Sequence, residues 1–420
     1  MAKILKGATA LETHSAILDL IRSSGVVTRV DLADRSGLTG ASISRVVKQL
    51  LADGLIIETG VGDPTGGKRA TLLQFNPRAR HAVGISLDDP STTYVVTDMS
   101  GRVIEQLSSK GIDRDAPPTV VRRLTKELED LIIQANIEPA TLVGVGVALA
   151  GRQGAEHRLV RTNAEKYTWE PFAVHDTLSA AIEYPIVVEN DSTCAAIGEF
   201  WAGRIPSSTD FATVYMAAGF GLGLVTNGDV YRGSSSNVGE IGHMVLDVNG
   251  PECWCGGHGC LESLAGTARV VSRAEEDPQL VSELGLKCRR ATVRADFARI
   301  ARQAAAGHQQ CLALIEDSAM YLAKALRSIT NLLDLDQIIL AGPAFSEAGD
   351  IYVRVAAEEL GRLSFVRAIH PTRVELSKLG PSAAALGAAS LVLHSQLTPH
   401  QTSSKALSAG GSPAATARSS

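Results

Sequence analysis

No run of the 420 residues reaches the ~18 uninterrupted apolar positions that a membrane-spanning helix needs, so no membrane span is expected. The opening residues, Met1 to Lys6 (MAKILK), lead into no apolar stretch, so no secretory leader is expected either. Cysteine is scarce, with six in the chain. Three of them, Cys194, Cys288 and Cys311, are scattered and are expected to be reduced, which suits a cytoplasmic protein. Excess charge is small, a net of −5, but it is unevenly spread. Residues 1–80 carry 11 Lys/Arg against 7 Asp/Glu, a net of +4, and the remainder carries 29 against 38, a net of −9. A basic front on an acidic body suggests a nucleic-acid module joined to something else. The length implies two or three domains, and 45% hydrophobic with 20% charged residues is a globular composition.

The other three cysteines, Cys253, Cys255 and Cys260, fall within eight positions, in a stretch running from Gly239 to Glu262 (GEIGHMVLDVNGPECWCGGHGCLE). With His243 they make a complete tetrahedral zinc set, three thiols and an imidazole. The Cys-x-Cys-x4-Cys spacing is too cramped for each thiol to reach a distant disulfide partner. Gly256, Gly257 and Gly259 let the backbone turn tightly enough to aim several sulfurs inward. Four protein ligands leave no open position, so the expected Zn2+ is structural. Glu240 and Glu262 bracket the cluster, and the metal is expected to fix these carboxylates relative to each other. The bland alternative is a set of small buried thiols around a glycine turn.

At the amino terminus, Ile17, Leu18 and Ile21 mark one face of a helix from His14 to Ser23, which Gly25 stops. Thr28 can cap a second helix, Arg29 to Ser36. Thr39 can cap a third, Gly40 to Ala52, with Ile43, Val46, Val47, Leu50 and Leu51 facing inward. Its other face shows Ser42, Ser44, Arg45, Lys48 and Gln49, the make-up of a helix-turn-helix recognition helix. Two strands follow, from Gly54 and over Thr71 to Phe75, around a Gly-rich loop holding Pro64, Lys68 and Arg69. That order predicts a winged DNA-binding module over 10–78, whose expected contacts are Thr39, Ser42, Ser44, Arg45, Lys48, Lys68 and Arg69. A small helical packing domain with a solvated polar face would read similarly.

From His81 strands alternate with helices, which predicts an α/β architecture over 80–394. Strands are read at Ala82–Ser86, Tyr94–Asp98, Val103–Leu107, Leu142–Ala148, Pro185–Glu189, Phe211–Met216, Gly221–Thr226 and Gln337–Leu340. Helices are read at Pro117–Ala135, Ser192–Trp201, Thr267–Asp277, Arg294–Ala305, Cys311–Leu333 and Ile351–Leu360. Residues 395–420 are rich in Ser, Thr, Pro and Ala and are expected to be disordered. Functional residues of open α/β sheets gather at the carboxyl ends of strands, and Asn190-Asp191 stands at such an end. An amide and a carboxylate there can hydrogen-bond vicinal hydroxyls; alone, the pair could equally cap the next helix. With Glu240, His243 and Glu262 near, a polyhydroxylated ligand is the better reading. One ring nitrogen of His243 would bind zinc and the other would donate to a sugar oxygen.

GEIGHM (Gly239–Met244) followed by CWCGGHGCLE (Cys253–Glu262) resembles the signature of the ROK family, which comprises repressors, uncharacterised reading frames and sugar kinases. The amino-terminal module, through GGKRATLLQFN (Gly66–Asn76), is similar to that of the family's transcription factors. The resemblance implies a two-lobed actin-like ATPase fold with a sugar cleft. It places zinc ligands at His243, Cys253, Cys255 and Cys260, and sugar contacts at Asn190, Asp191, Glu240, His243, Glu262 and Gly151. It also implies a homodimer or homotetramer. The nucleotide side departs from the kinase pattern. A phosphate-cradling loop becomes Gly84-Ile85-Ser86-Leu87-Asp88-Asp89-Pro90, with two carboxylates and a proline that lacks an N–H. The second and third glycine-rich elements read Ala217-Ala218-Gly219 and Ala341-Gly342-Pro343. ATP binding is therefore expected to be lost and no enzyme activity is expected. The expectation is a sugar-responsive transcriptional regulator, a repressor, that binds operator DNA and a sugar or sugar phosphate. The alternatives are a sugar kinase with an added DNA module, and a regulator controlled by a protein partner.

Overall fold

The computed structural model describes residues 10–61, 70–88, 91–112, 115–153, 159–160 and 174–397. The wing loop with Pro64, Lys68 and Arg69, the Asp89-Pro90 pair and most of the expected disordered tail lie outside these residues. Two compact units emerge, one holding Ala2–Asn76 and the residues from Val392 on, the other Pro77–Leu391.

The first unit holds α1 (Ala10–Ser24), β1 (Val26–Val27), α2 (Arg29–Ser36), α3 (Gly40–Ala52), β2 (Ile56–Val61) and β3 (Thr71–Phe75), with strand order β1-β3-β2. Its core is Ile17, Leu18, Ile21, Leu32, Ile43, Val47, Leu50, Ile56, Leu73 and Phe75, all buried. Local chemistry sets the helix ends. Thr28 accepts from the Asp31 N–H at 3.2 Å while Asp31 accepts from the Thr28 N–H at 2.8 Å, a reciprocal cap of two orphan donors. Gly37, at φ 69°, ends α2 in the left-handed region that glycine tolerates. Thr39 caps α3 through the Ser42 N–H.

The second unit begins with β4 (His81–Leu87), β5 (Ser91–Asp98), β6 (Val103–Lys110), α4 (Pro117–Ala135), β7 (Leu142–Leu149), β8 (Arg152–Gln153), β9 (Leu159–Val160), α5 (Val174–Ala181), β10 (Ile186–Asn190) and α6 (Asp191–Trp201). It continues with β11 (Phe211–Met216), β12 (Phe220–Thr226), β13 (Asp229–Val230), α7 (Leu261–Ala265), α8 (Thr267–Glu275), α9 (Pro278–Leu284), α10 (Val293–Ala305), α11 (Gln309–Leu333), β14 (Gln337–Ala341), α12 (Gly349–Leu363), β15 (Arg373–Leu376) and most of α13 (Ala383–Leu397), whose residues from Val392 are counted with the first unit. Its two five-stranded sheets run β10-β7-β4-β5-β6 and β13-β12-β11-β14-β15. Counted within its own lobe, each sheet has its third, second, first, fourth and fifth strands in that order. In each, the first and second strands are antiparallel and the first, fourth and fifth are parallel. The chain thus repeats one topology twice, which gives the two-lobed actin-like fold.

The lobes exchange a helix each. α6 leaves the end of β10 and packs on β11 and β12 of the other sheet. α13, which follows β15, lies against the first sheet. A Cβ on Gly84 would stand 1.8 Å from the Ala385 carbonyl oxygen, and one on Gly146 2.0 Å from that of Ala388. α6 and α13 meet where Gly387 lies on the Cys194 carbonyl. The sequence reading leaves 383–397 without an element and begins the disordered tail at Ser395. The helix instead continues to Leu397, because an alanine-rich segment buried all round has no polar face to give it a period.

Glu199, on α6, is 4% exposed and accepts a short hydrogen bond from the Ser377 hydroxyl of the loop after β15. Burial pushes its carboxyl up to about 7, with Ser377 and Lys378 pulling the other way. The folded state holds this proton more tightly than the unfolded chain, so stability falls as pH rises from the ordinary carboxylate range to about 7. Glu199→Gln should flatten that loss, which is on the order of 3 kcal/mol for a shift of this size. Equal melting-temperature losses between pH 5 and pH 8 in both proteins would overturn this account.

Candidate functional site

The carboxyl ends of β4 and β10 face the second lobe, where Asp88 pairs with Arg294 and Glu189 with Arg232, and Asn190 and Asp191 stand at the end of β10. Asn190 is the residue before α6 and caps it. Its side-chain oxygen accepts from the N–H groups of Ser192 at 2.9 Å and Thr193 at 3.2 Å. Its amide nitrogen donates to the Gly151 carbonyl at 3.3 Å, which ties the loop after β7 to the end of β10. The capping role is therefore real, and it leaves the amide fixed at the cleft. Asp191 is the first residue of α6, half-buried, and accepts from the Ser192 N–H at 2.8 Å.

Across the cleft, Glu240 is exposed and precedes the 3-10 turn Ile241–His243. His243 turns Nδ1 towards the thiols, 3.7 Å from Cys253 Sγ. Cys255 and Cys260 sulfurs are also 3.7 Å apart. The four donor atoms of His243, Cys253, Cys255 and Cys260 all lie within 4.8 Å of one another and form a group that could hold a metal ion. Among the described residues no other such group occurs. All six cysteines are free thiols. Without a cation, burial pushes Cys253 up and Cys260 up to about 12, while the Gly257 N–H draws Cys255 down.

Glu262, the second residue of α7, reaches from this cluster into the cleft. Its Oε1 accepts from the Trp254 indole N–H at 2.6 Å. The Phe220 N–H also bonds to it. Burial raises its pKa, and the Trp254 hydrogen bond opposes that rise. Oε2 fills the space beside Gly219, where a Cβ would stand 2.0 Å away. The missing side chain at Gly219 of Ala217-Ala218-Gly219 thus leaves room for the carboxylate facing it.

Sequence reasoning missed two ion pairs that span the lobes. Arg232, after β13, binds Glu189 at the end of β10. Glu189 is 5% exposed and also accepts from the Asn190 N–H at 2.8 Å. Arg294, on α10, binds Asp88 at the end of β4 at 2.9 Å. The partners of the second pair are 206 residues apart, and no local spacing announces them. At the third glycine-rich element, Gly342 has φ 107° and its Cβ would meet the Met216 carbonyl at 2.6 Å, so close packing accounts for it.

In the first unit, Ser44, Arg45, Lys48 and Gln49 are exposed on α3, Ser42 is half-exposed, and Thr39 is spent as the cap. Gln49 donates to Asp53 at 2.8 Å. Arg45 and Lys48 pair with no carboxylate among the described residues. One face therefore keeps two cations and the Ser44 hydroxyl open to a phosphate-bearing partner, while the Ser42 hydroxyl pairs with that of Thr39 at 3.0 Å.

Removing Arg232 leaves Glu189 enclosed without its guanidinium partner. Arg232→Ala is expected to destabilise the second unit by about 2 kcal/mol, and adding Glu189→Gln should recover part of that loss. Thermal melts of the single and double variants measure it; a double variant no more stable than Arg232→Ala would contradict the pairing.

Residues 83–395 match the profile of the ROK family, and residues 11–57 that of a winged helix-turn-helix DNA-binding domain. The xylose repressor of Bacillus subtilis is 25% identical over 377 residues, 90% of this chain and 94% of that protein. The DNA-binding transcriptional dual regulator NagC of Escherichia coli is 26% identical over 332 residues, 78% and 79% of the two chains. Among solved structures, a ROK family transcriptional regulator described as a homolog of E. coli MLC protein superposes with a TM-score of 0.69 at 20% identity, covering 93% of this chain and 98% of that one. A ROK family glucokinase from Streptomyces griseus, in complex with glucose and AMPPNP, gives 0.61 at 22% identity, covering 74% and 98%. A duplicated sheet topology, a cysteine–histidine cluster beside the cleft and a profile match over most of the length agree: the chain belongs to the ROK family and carries an amino-terminal winged helix-turn-helix.

Proposed function

We propose that this protein is a sugar-responsive, DNA-binding transcriptional regulator, a repressor of carbohydrate-metabolism genes. The observation that carries the reading is the joining, in one chain, of a winged helix with an open basic face to a ROK body with a polar cleft. Relatives that align along most of the chain are named xylose repressor and N-acetylglucosamine repressor. In this reading α3 enters the major groove, with Ser42, Ser44, Arg45 and Lys48 towards the DNA. Lys68 and Arg69 of the wing follow the phosphates, and Thr39 sets the start of the helix. A homodimer or homotetramer would bind a palindromic site. Asn190, Asp191, Glu240, His243 and Glu262 bind a sugar or sugar phosphate, with Gly151 holding Asn190 in place. The sugar changes DNA affinity only by binding one arrangement of the protein better than another.

No catalytic role is assigned. Asp88 stands where the kinase pattern has glycine and is already held by Arg294, so a phosphate there would meet a carboxylate. The metal is zinc in a structural role. A tetrahedron of zinc–sulfur bonds of ~2.3 Å has edges of ~3.8 Å, close to the 3.7 Å between the Cys255 and Cys260 sulfurs. His243, Cys253, Cys255 and Cys260 would hold it, leaving no position for a substrate. Bound there, it supplies rigidity and a charge that favours the thiolates over the thiols.

Genomic fragments selected by the purified protein, titrated by fluorescence anisotropy with and without D-xylose, D-glucose and N-acetylglucosamine, test the function. One sugar should shift the affinity, and Asp191→Ala should remove the shift. Failure to bind any defined fragment at low salt would sink the reading, and ADP release that vanishes in Asp191→Ala would replace it with a kinase. Arg45→Ala and Lys48→Ala should each weaken DNA binding about tenfold while sparing sugar binding. Cys255→Ser should lose the zinc and weaken the sugar response; a full zinc complement by elemental analysis would refute the ligand set.

A further inference from the structure

Trp254 has no role in metal ligation or in the core. It lies between two thiols of the cluster, yet 48% of its surface is exposed. A large aromatic on a tight glycine-rich turn costs apolar exposure, and its polar tip is what the structure uses. The indole N–H reaches Glu262 Oε1 at 2.6 Å. The ring stands edge-on to His243, with centroids 4.8 Å apart at 82°. Oε2 occupies space that a Cβ on Gly219 would fill, and the Phe220 N–H also bonds to the carboxylate. Glu262 is thus held by two N–H donors, one from the indole and one from backbone, beside a glycine that leaves it room.

We propose that Trp254 is a positioning residue that orients the Glu262 carboxylate for recognition of sugar hydroxyls, linking the cysteine–histidine cluster to the cleft. The inference rests on the reading of Glu262 as a sugar contact. Bound sugar gains from a carboxylate that is already fixed, because no rotamer freedom is lost when its hydroxyl groups dock. Without the indole N–H, Glu262 keeps its place on α7 but loses the bond that sets its orientation. The ring touches the cluster at His243, but the indole nitrogen is not one of its four donors, so the metal set does not depend on it.

The test replaces Trp254 with its sulfur isostere, benzothienylalanine, which has the same shape and no donor, and with Phe. Calorimetry with D-xylose, D-glucose and N-acetylglucosamine is run beside elemental analysis for zinc. For whichever sugar the wild type binds, both variants should bind ~10-fold more weakly with an unchanged zinc content. Because Trp254 acts through Glu262, Trp254→Phe added to Glu262→Gln should cost less than it does in the wild type. Unchanged affinity in the isosteric variant overturns the inference alone. An equal cost of Trp254→Phe in both backgrounds shows that the ring acts elsewhere and also overturns it. A wild type that binds none of the three sugars removes the sugar reading, and this inference with it.

Discussion

The enclosure of one carboxylate shapes much of the second unit. Glu262 needs a backbone N–H, an indole N–H and space beside two glycines, and each comes from a different segment. Gly219 and Gly242 lie on separate loops, and Gly266, one turn on, keeps its own Cβ position clear of the Glu262 carbonyl. These requirements draw the β11–β12 turn, the His243 turn and the start of α7 to one point. The cysteine–histidine cluster then works as a clasp on that point. It joins the turn that ends at His243 to the residue that begins α7, so the position of Glu262 follows from how the thiols meet.

Around this centre the duplicated lobes are held in two ways. α6 and α13 cross between the sheets and pack closely, backbone on backbone at Gly387 and through the small side chains of Cys194, Ala195, Ala383 and Ala388. Two ion pairs, Glu189–Arg232 and Asp88–Arg294, bridge the lobes at the cleft. A ligand that favoured another arrangement of the lobes would have to compete with these contacts.

What the sequence reveals here is what short-range chemistry determines. Thr28 with Asp31, Thr39 before a helical period, and three cysteines within eight positions are decided within a turn or two of chain, and the structure has each of them. The strand before Asn190 was legible as an apolar run ending in polar residues. Elements without such signals were not read: α13 has no amphipathic period, and β15 has a mixed pattern of burial. The ion pairs lie 43 and 206 residues apart along the chain, so they follow only from the assembled sheets. Trp254 sat in full view beside the cysteines, but its partner depends on how a turn and a helix meet. The double role of Asn190, cap and cleft residue, shows that the modest reading of a motif and the functional one need not exclude each other.

The helix exchange also settles how some positions should be judged when the chain varies. Gly84, Gly146 and Gly387 carry no functional atoms, yet an added methyl at any of them would be driven to within 2.0 Å of a backbone carbonyl. Backbone on both sides cannot retreat as a flexible side chain would. These sites are therefore frozen by geometry, however the ligand or the DNA target drifts. Gly84 opens the segment that resembles a kinase phosphate loop, so a glycine at this position is no sign of nucleotide chemistry. A glycine there is a mark of the joint between lobes, and a chain in this family could exchange its effector many times over without being free to give it up.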